Sequence, residues 1–143
     1  MYSTVDQILK LLPESEVLQL ADDDSADDIT DEAVVAVLEE AIEQADREID
    51  AYVGTVKRVP LSPVPALIEN LSTKLAVHHL WLRRPGVAEP EIWQRETARC
   101  MRLLEAIATG KMALGAEDGA ASDPSQGTAS FTASERLMSR RTL

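Results

Sequence analysis

Apolar and polar positions alternate with a helical period in several separate stretches of this chain. The stretches end where proline, glycine or runs of like charge intervene. The clearest stretch follows Thr30, where Val34, Val37, Leu38, Ala41, Ile42, Ala45, Ile49, Tyr52 and Val53 recur at three- and four-residue spacing. That pattern predicts one continuous apolar stripe over about five turns. Thr30 is the expected N-cap, Asp31 and Glu32 suit the positive end of the helix dipole, and Gly54 is the expected stop. Before it, Ser3 with Asp6 predicts a short capped first helix. Pro13 breaks that helix and can open a second, which has Glu14 and Glu16 at its start and Val17, Leu18 and Ala21 on its apolar face. The run Asp22-Asp23-Asp24-Ser25-Ala26-Asp27-Asp28 repels itself and reads as an exposed loop.

From Gly54 to Pro65 the prolines Pro60, Pro63 and Pro65 favour an extended connector, in which Thr55 to Val59 could pair briefly as a strand. Pro65 then suits the start of another helix, with Leu67, Ile68, Leu71, Leu75 and Leu82 as its main apolar set. Ala76, Val77, Leu80 and Trp81 fill other faces, and a helix apolar on so many sides is expected at the centre of a bundle. Arg83-Arg84-Pro85-Gly86 ends it. Pro90 and Glu91 open a last helix carrying Ile92, Trp93, Met101, Leu104 and Ile107, which Gly110 closes. Residues 114–129 are Gly, Ala, Ser, Asp and Pro in the main and predict a flexible linker. Residues 130–143 place Phe131, Leu137, Met138 and Leu143 among Arg136, Arg140 and Arg141, a composition expected of a docking arm. The fold class is therefore all-α: a helical domain over residues 1–113, a bundle of about four main helices with a short first helix, a Pro-rich connector and a C-terminal arm.

Composition supports packed helices over a strand sandwich, because 45 % of the 143 residues are hydrophobic while only 3 % are aromatic. The first residues, Met1 to Leu12, lack a basic start followed by an apolar run and carry Asp6, so no secretory leader is expected. No stretch reaches the length of about 18 apolar residues that a membrane helix needs, and no membrane contact is expected. A lone cysteine, Cys100, cannot close an internal disulfide, which fits folding in a reducing cytoplasm. The formal charge of −11 is unevenly spread: residues 1–56 hold 16 acidic and 2 basic side chains, whereas residues 57–113 hold 5 acidic and 9 basic. Phosphate attraction needs concentrated Lys and Arg, so sequence-specific DNA binding is disfavoured. Opposite charge on the two parts instead favours head-to-tail attraction between copies.

Candidate chemistry is thin. A calcium-binding loop starting at Asp22 would need glycine at its sixth position and glutamate at its twelfth, where this chain has Asp27 and Ala33; the register from Asp23 gives Asp28 and Val34. Glu40 and Glu43 resemble half of the carboxylate set that holds Mg²⁺ in helical nucleotide pyrophosphohydrolases. The following helix offers Glu69 alone, too few oxygens for that ion. His78 and His79 lie about 100° apart on a helix and cannot chelate as an i, i+4 pair does; one is expected toward the core and the other toward a polar groove. Cys100 has Arg99 and Arg102 nearby but no base beside it, and reads as a packed helix residue. Arg95, Arg99 and Arg102 lie one turn apart. They form either a solvated stripe or a contact to the acidic helix of another copy, through residues such as Glu39 and Glu43. No catalytic group, cofactor or metal is assigned.

The order of elements resembles a known family. An acidic helix runs into Ile49-Asp50-Ala51-Tyr52-Val53, followed by the connector Val59-Pro60-Leu61-Ser62-Pro63-Val64-Pro65. Then come Leu75-Ala76-Val77-His78-His79-Leu80 with Arg83-Arg84, and a helix ending Leu104-Glu105-Ala106-Ile107-Ala108-Thr109-Gly110. Together with Met1-Tyr2-Ser3-Thr4 and Phe131-Thr132, this resembles the gene-product-thirty-six family of Mu-like phages and prophages, small head–tail joining proteins of tailed phages. The segment Thr55-Val56-Lys57-Arg58 departs from that pattern in lacking an Arg-Tyr pair. The resemblance implies a structural virion protein, made in the bacterial cytoplasm, that completes the head at the portal vertex. Its implied partners are the portal protein, tail-completion proteins and further copies of itself in a ring through which DNA passes. From the residues alone, an acidic cytoplasmic binding or regulatory module and a Mg²⁺-dependent nucleotide hydrolase are the other classes to set against it.

Overall fold

A computed structural model describes residues 1–114 of the chain. The arm residues Phe131, Leu137, Met138, Arg140 and Arg141, and all but the first residue of the expected linker, lie outside the described residues. Among the described residues five helices occur: α1 (Val5–Leu11), α2 (Glu14–Ala21), α3 (Glu32–Val53), α4 (Ala66–Leu82) and α5 (Glu91–Ala108). Among the described residues there is no strand, and Thr55 to Val59 is a turn and coil. The expected all-helical bundle is present.

The caps sit one residue later than the sequence suggests, for local reasons. Thr4, not Ser3, caps α1: its hydroxyl accepts from the Gln7 backbone N–H while the Gln7 side chain accepts from the Thr4 N–H. Ser3 is buried and bonds elsewhere. Asp31, not Thr30, caps α3 by accepting from the Ala33 N–H at 2.9 Å. The Thr30 N–H and hydroxyl are both taken by Asp28. Pro13, Pro65 and Pro90 each stand just before a helix. Gly54 ends α3, and a Cβ there would stand 2.7 Å from the Asp50 carbonyl oxygen, a separation side chains do not adopt. Gly110 ends α5 at φ +81°, the left-handed geometry that favours glycine.

Burial follows the α3 stripe closely: Val34, Leu38, Ala41, Ile42, Ala45, Ile49 and Val53 are all buried. Helix α4 touches each of the other four helices, so its broad apolar surface does place it at the centre. Its Ile68, Leu71, Leu75 and Leu80 join Leu104 and Ile107 of α5 in the core. Each such side chain contributes about 1.5–3 kcal/mol. Two apolar residues expected inside are outside. Leu82, at the last turn of α4, is 61 % exposed, and Ile92, in the first turn of α5, is 63 % exposed. The inward face of α5 instead runs through Cys100, Leu104 and Ile107, with Cys100 fully buried.

Candidate interaction surface

Two polar systems flank the core, and they differ in how far their groups are bonded among the described residues. The first is buried. The Tyr2 N–H donates to Asp46 at 2.8 Å, and the Ser72 hydroxyl donates to the other oxygen of Asp46 at 2.6 Å. Ser3 and Ser72 share a hydrogen bond of 2.7 Å. The Tyr2 hydroxyl donates to Asp50 and accepts from the Leu61 N–H at 3.0 Å. Residues from the N-terminal segment, α3, α4 and the proline connector are thereby tied at one point. Burial, reinforced by the bond to Asp50, pushes the Tyr2 phenol up to about 12. The only forewarning in the sequence is Ser72-Thr73 inside an otherwise apolar helix; nothing local joins it to Tyr2 or Asp46.

His78 and His79 also differ from expectation. Neither faces the core: His78 Nδ1 lies 3.1 Å from Glu89, and His79 Nε2 lies 3.3 Å from Glu48 on α3. Adjacent positions on α4 thus reach two different neighbours. Burial holds the His79 imidazole below its usual range, against the opposing pull of Glu48. Cys100 is pushed upward by burial, as an inert packed thiol should be.

The second system is exposed and polarised. At one end, the Asp22–Asp28 loop is held in a defined shape. The Asp22 carboxylate accepts from the N–H groups of Ala26 and Asp27 at 2.9 and 2.7 Å. Asp23 bridges Arg83 and Arg84, and Arg83 also donates to the Leu20 carbonyl at the end of α2. Ser25 and Asp27 sit at φ 59° and 60°. The side chains of Asp24 and Asp27 are exposed and have no partner among the described residues.

Near the C-terminal ends of α3 and α5 lies an open groove of about 520 Å³, lined by Tyr52, Arg102, Glu105, Ala106, Ala108, Thr109 and Lys111. The Thr55 hydroxyl, 3.4 Å from the Ala108 carbonyl, links the turn after α3 to this end of α5. Neither Arg102 nor Lys111 has an ion-pair partner among the described residues. Of the groove residues, the sequence pattern marks only Arg102. Tyr52 reads as part of the core stripe, and Lys111 follows the helix stop.

The rest of the expected arginine stripe is exposed: Arg95 is unpaired among the described residues, and Arg99 approaches Glu96 at 3.9 Å. Glu39 and Glu43 are exposed on α3 and form no ion pair with Arg95, Arg99 or Arg102 of the same copy. Glu40 accepts from Gln44. No helix among the described residues is long and apolar enough to cross a membrane.

The described residues define a small five-helix bundle in which a partly buried polar network ties the N-terminal segment to α3 and α4, and many charged side chains are left at the surface. The chain matches the model of the family described as Bacteriophage Mu, Gp36, over residues 2–133, and it belongs to that family. It is thus a phage-related protein. No curated protein matches it.

Proposed function

We propose that the chain is a structural virion-assembly protein, a head-completion adaptor that joins the portal vertex of a tailed phage or prophage particle to its tail. Family membership across residues 2–133 is the observation that carries this reading. The architecture supports it, since a bundle with a closed interior network and charge left on separate surfaces is suited to bridging partners. In this reading the chain works in several copies, arranged as a ring against portal and tail-completion proteins. DNA passes without sequence-specific contact, because an acidic surface does not hold phosphate. The residues assigned to contacts are Glu39 and Glu43 on α3, Arg95, Arg99 and Arg102 on α5, and the arm from Phe131 through Arg141. The role requires no catalytic group or cofactor.

The test is genetic and visual. A phage with this gene deleted should accumulate DNA-filled heads and separate tails under electron microscopy, and supply of the wild-type chain should restore joined particles. Joined, infectious particles in the absence of the chain would contradict the proposal. Removal of residues 130–143 should leave the melting temperature of the purified protein unchanged while reducing its recovery in particles; a collapse of thermal stability would place the arm in the chain's own core.

A further inference from the structure

We infer that the groove formed by Tyr52, Arg102, Ala106, Ala108 and Lys111 receives the acidic loop of a second copy of this chain, through Asp24 and Asp27. The inference rests on the reading that the chain acts in repeated copies, and it names the two surfaces that meet.

Charge complementarity carries the assignment. The groove's lining is mostly apolar, and Tyr52, Ala106 and Ala108 share it with Arg102 and Lys111. Glu105 is the one carboxylate in the lining, so the two cations outnumber it. Cations beside an apolar concavity favour an acidic segment with small side chains, and the loop offers Asp24, Ser25, Ala26 and Asp27 in sequence.

The loop is also prepared for docking. Asp22 holds the backbone of Ala26 and Asp27, Asp23 is committed to Arg83 and Arg84, and Asp28 is committed to Thr30. Among the described residues Asp24 and Asp27 are left as the unpaired carboxylates of a preorganised turn, which lowers the entropy lost on binding.

Position excludes closure within one copy. The loop leads into Asp31 at the start of α3, whereas Tyr52 stands in its last turn. A helix of 22 residues is about 33 Å long, so groove and loop lie at opposite ends of it. A contact between unlike surfaces at two ends of a molecule is heterologous, and repetition builds a ring or a filament.

Charge reversal tests this directly on the full-length protein. Three proteins are compared by sedimentation velocity at low and high salt: wild type, Arg102→Glu with Lys111→Glu, and Asp24→Lys with Asp27→Lys. Wild type should self-associate at low salt and less so at high salt. Each reversed variant alone should associate at least about tenfold more weakly while keeping the wild-type helical circular dichroism and melting temperature. An equimolar mixture of the two variants should associate again, because the reversed groove of one then meets the reversed loop of the other with opposite charge. A wild type that stays monomeric at low salt up to its solubility limit, or a mixture that fails to recover, overturns the inference. So does association lost on deleting residues 130–143 but untouched by groove reversal, which would give the contact to the arm. The particle experiment with the deleted gene is independent of this outcome: particles that need the chain without this contact would remove only the groove assignment.

Discussion

The Tyr2–Asp46–Ser72 network and the groove around Arg102 are both polar, yet one is closed and the other open. In the first, Asp46 accepts from both the Tyr2 N–H and the Ser72 hydroxyl, and the Tyr2 hydroxyl both donates and accepts. In the second, Arg102 and Lys111 stand beside an open groove without ion-pair partners among the described residues. Satisfied groups removed from water specify one arrangement of the chain and are costly to disturb. Unmatched charges at the surface contribute little to stability and are free to meet another molecule. The difference separates residues that make the fold from residues that can use it.

Substitutions probe that contrast, and the largest effects belong inside. Asp46→Ala strips an acceptor from both the Tyr2 N–H and the Ser72 hydroxyl and should cost about 2–3 kcal/mol of unfolding free energy, measured by urea denaturation. Tyr2→Phe leaves the Leu61 N–H without its acceptor and should cost about 1–2 kcal/mol.

The same variant also changes how stability depends on pH. The Tyr2 phenol is held at about 12 in the folded chain against an ordinary value of 10.0, so the fold binds this proton more tightly than the unfolded chain does. Its contribution is fully present below pH 10.0 and is lost as pH rises toward about 12. Thermal melts of wild type should therefore fall more steeply across that window than those of Tyr2→Phe.

Asp23→Asn should have the smallest effect on stability. Arg83 and Arg84 lower the Asp23 carboxyl below the usual range, but Asp23 itself is exposed and solvent screens the pairs. A small fall in melting temperature at low salt should vanish near 1 M salt, where the screening length is about 3 Å. A loss as large as that of Asp46→Ala would show that surface ion pairs hold this fold as firmly as its internal network does.

Much of the fold is legible because it rests on local pattern. The α3 stripe, the breaks at Pro13 and Gly54 and the central place of α4 all follow from spacing and turn residues. The departures arise where tertiary partners decide. Ser3 and Thr4 are equally good caps by type, and only the bond from Ser3 to Ser72 tells them apart. Ile92 looks like a core residue, yet the first turn of α5 leaves it exposed, while Cys100 fills the inward face. His78 and His79 show no local sign that Glu89 and Glu48 await them.

The surface is legible only as charge. A count along the chain reveals acidic and basic parts, and Arg102 stands out by its spacing. The groove needs α3 and α5 to end side by side, which brings Tyr52 to Ala108 and Lys111 across more than fifty positions of sequence. No linear pattern encodes that meeting.

Particle assembly with a fold-neutral groove variant asks whether the Arg102 groove is a contact surface in the virion. A phage lacking the gene would be complemented with wild type or with Arg102→Glu/Lys111→Glu, and joined particles counted by electron microscopy. The variant should melt like wild type yet leave filled heads and tails apart, as the deletion does. Joined particles at wild-type frequency would show that the groove is not such a surface.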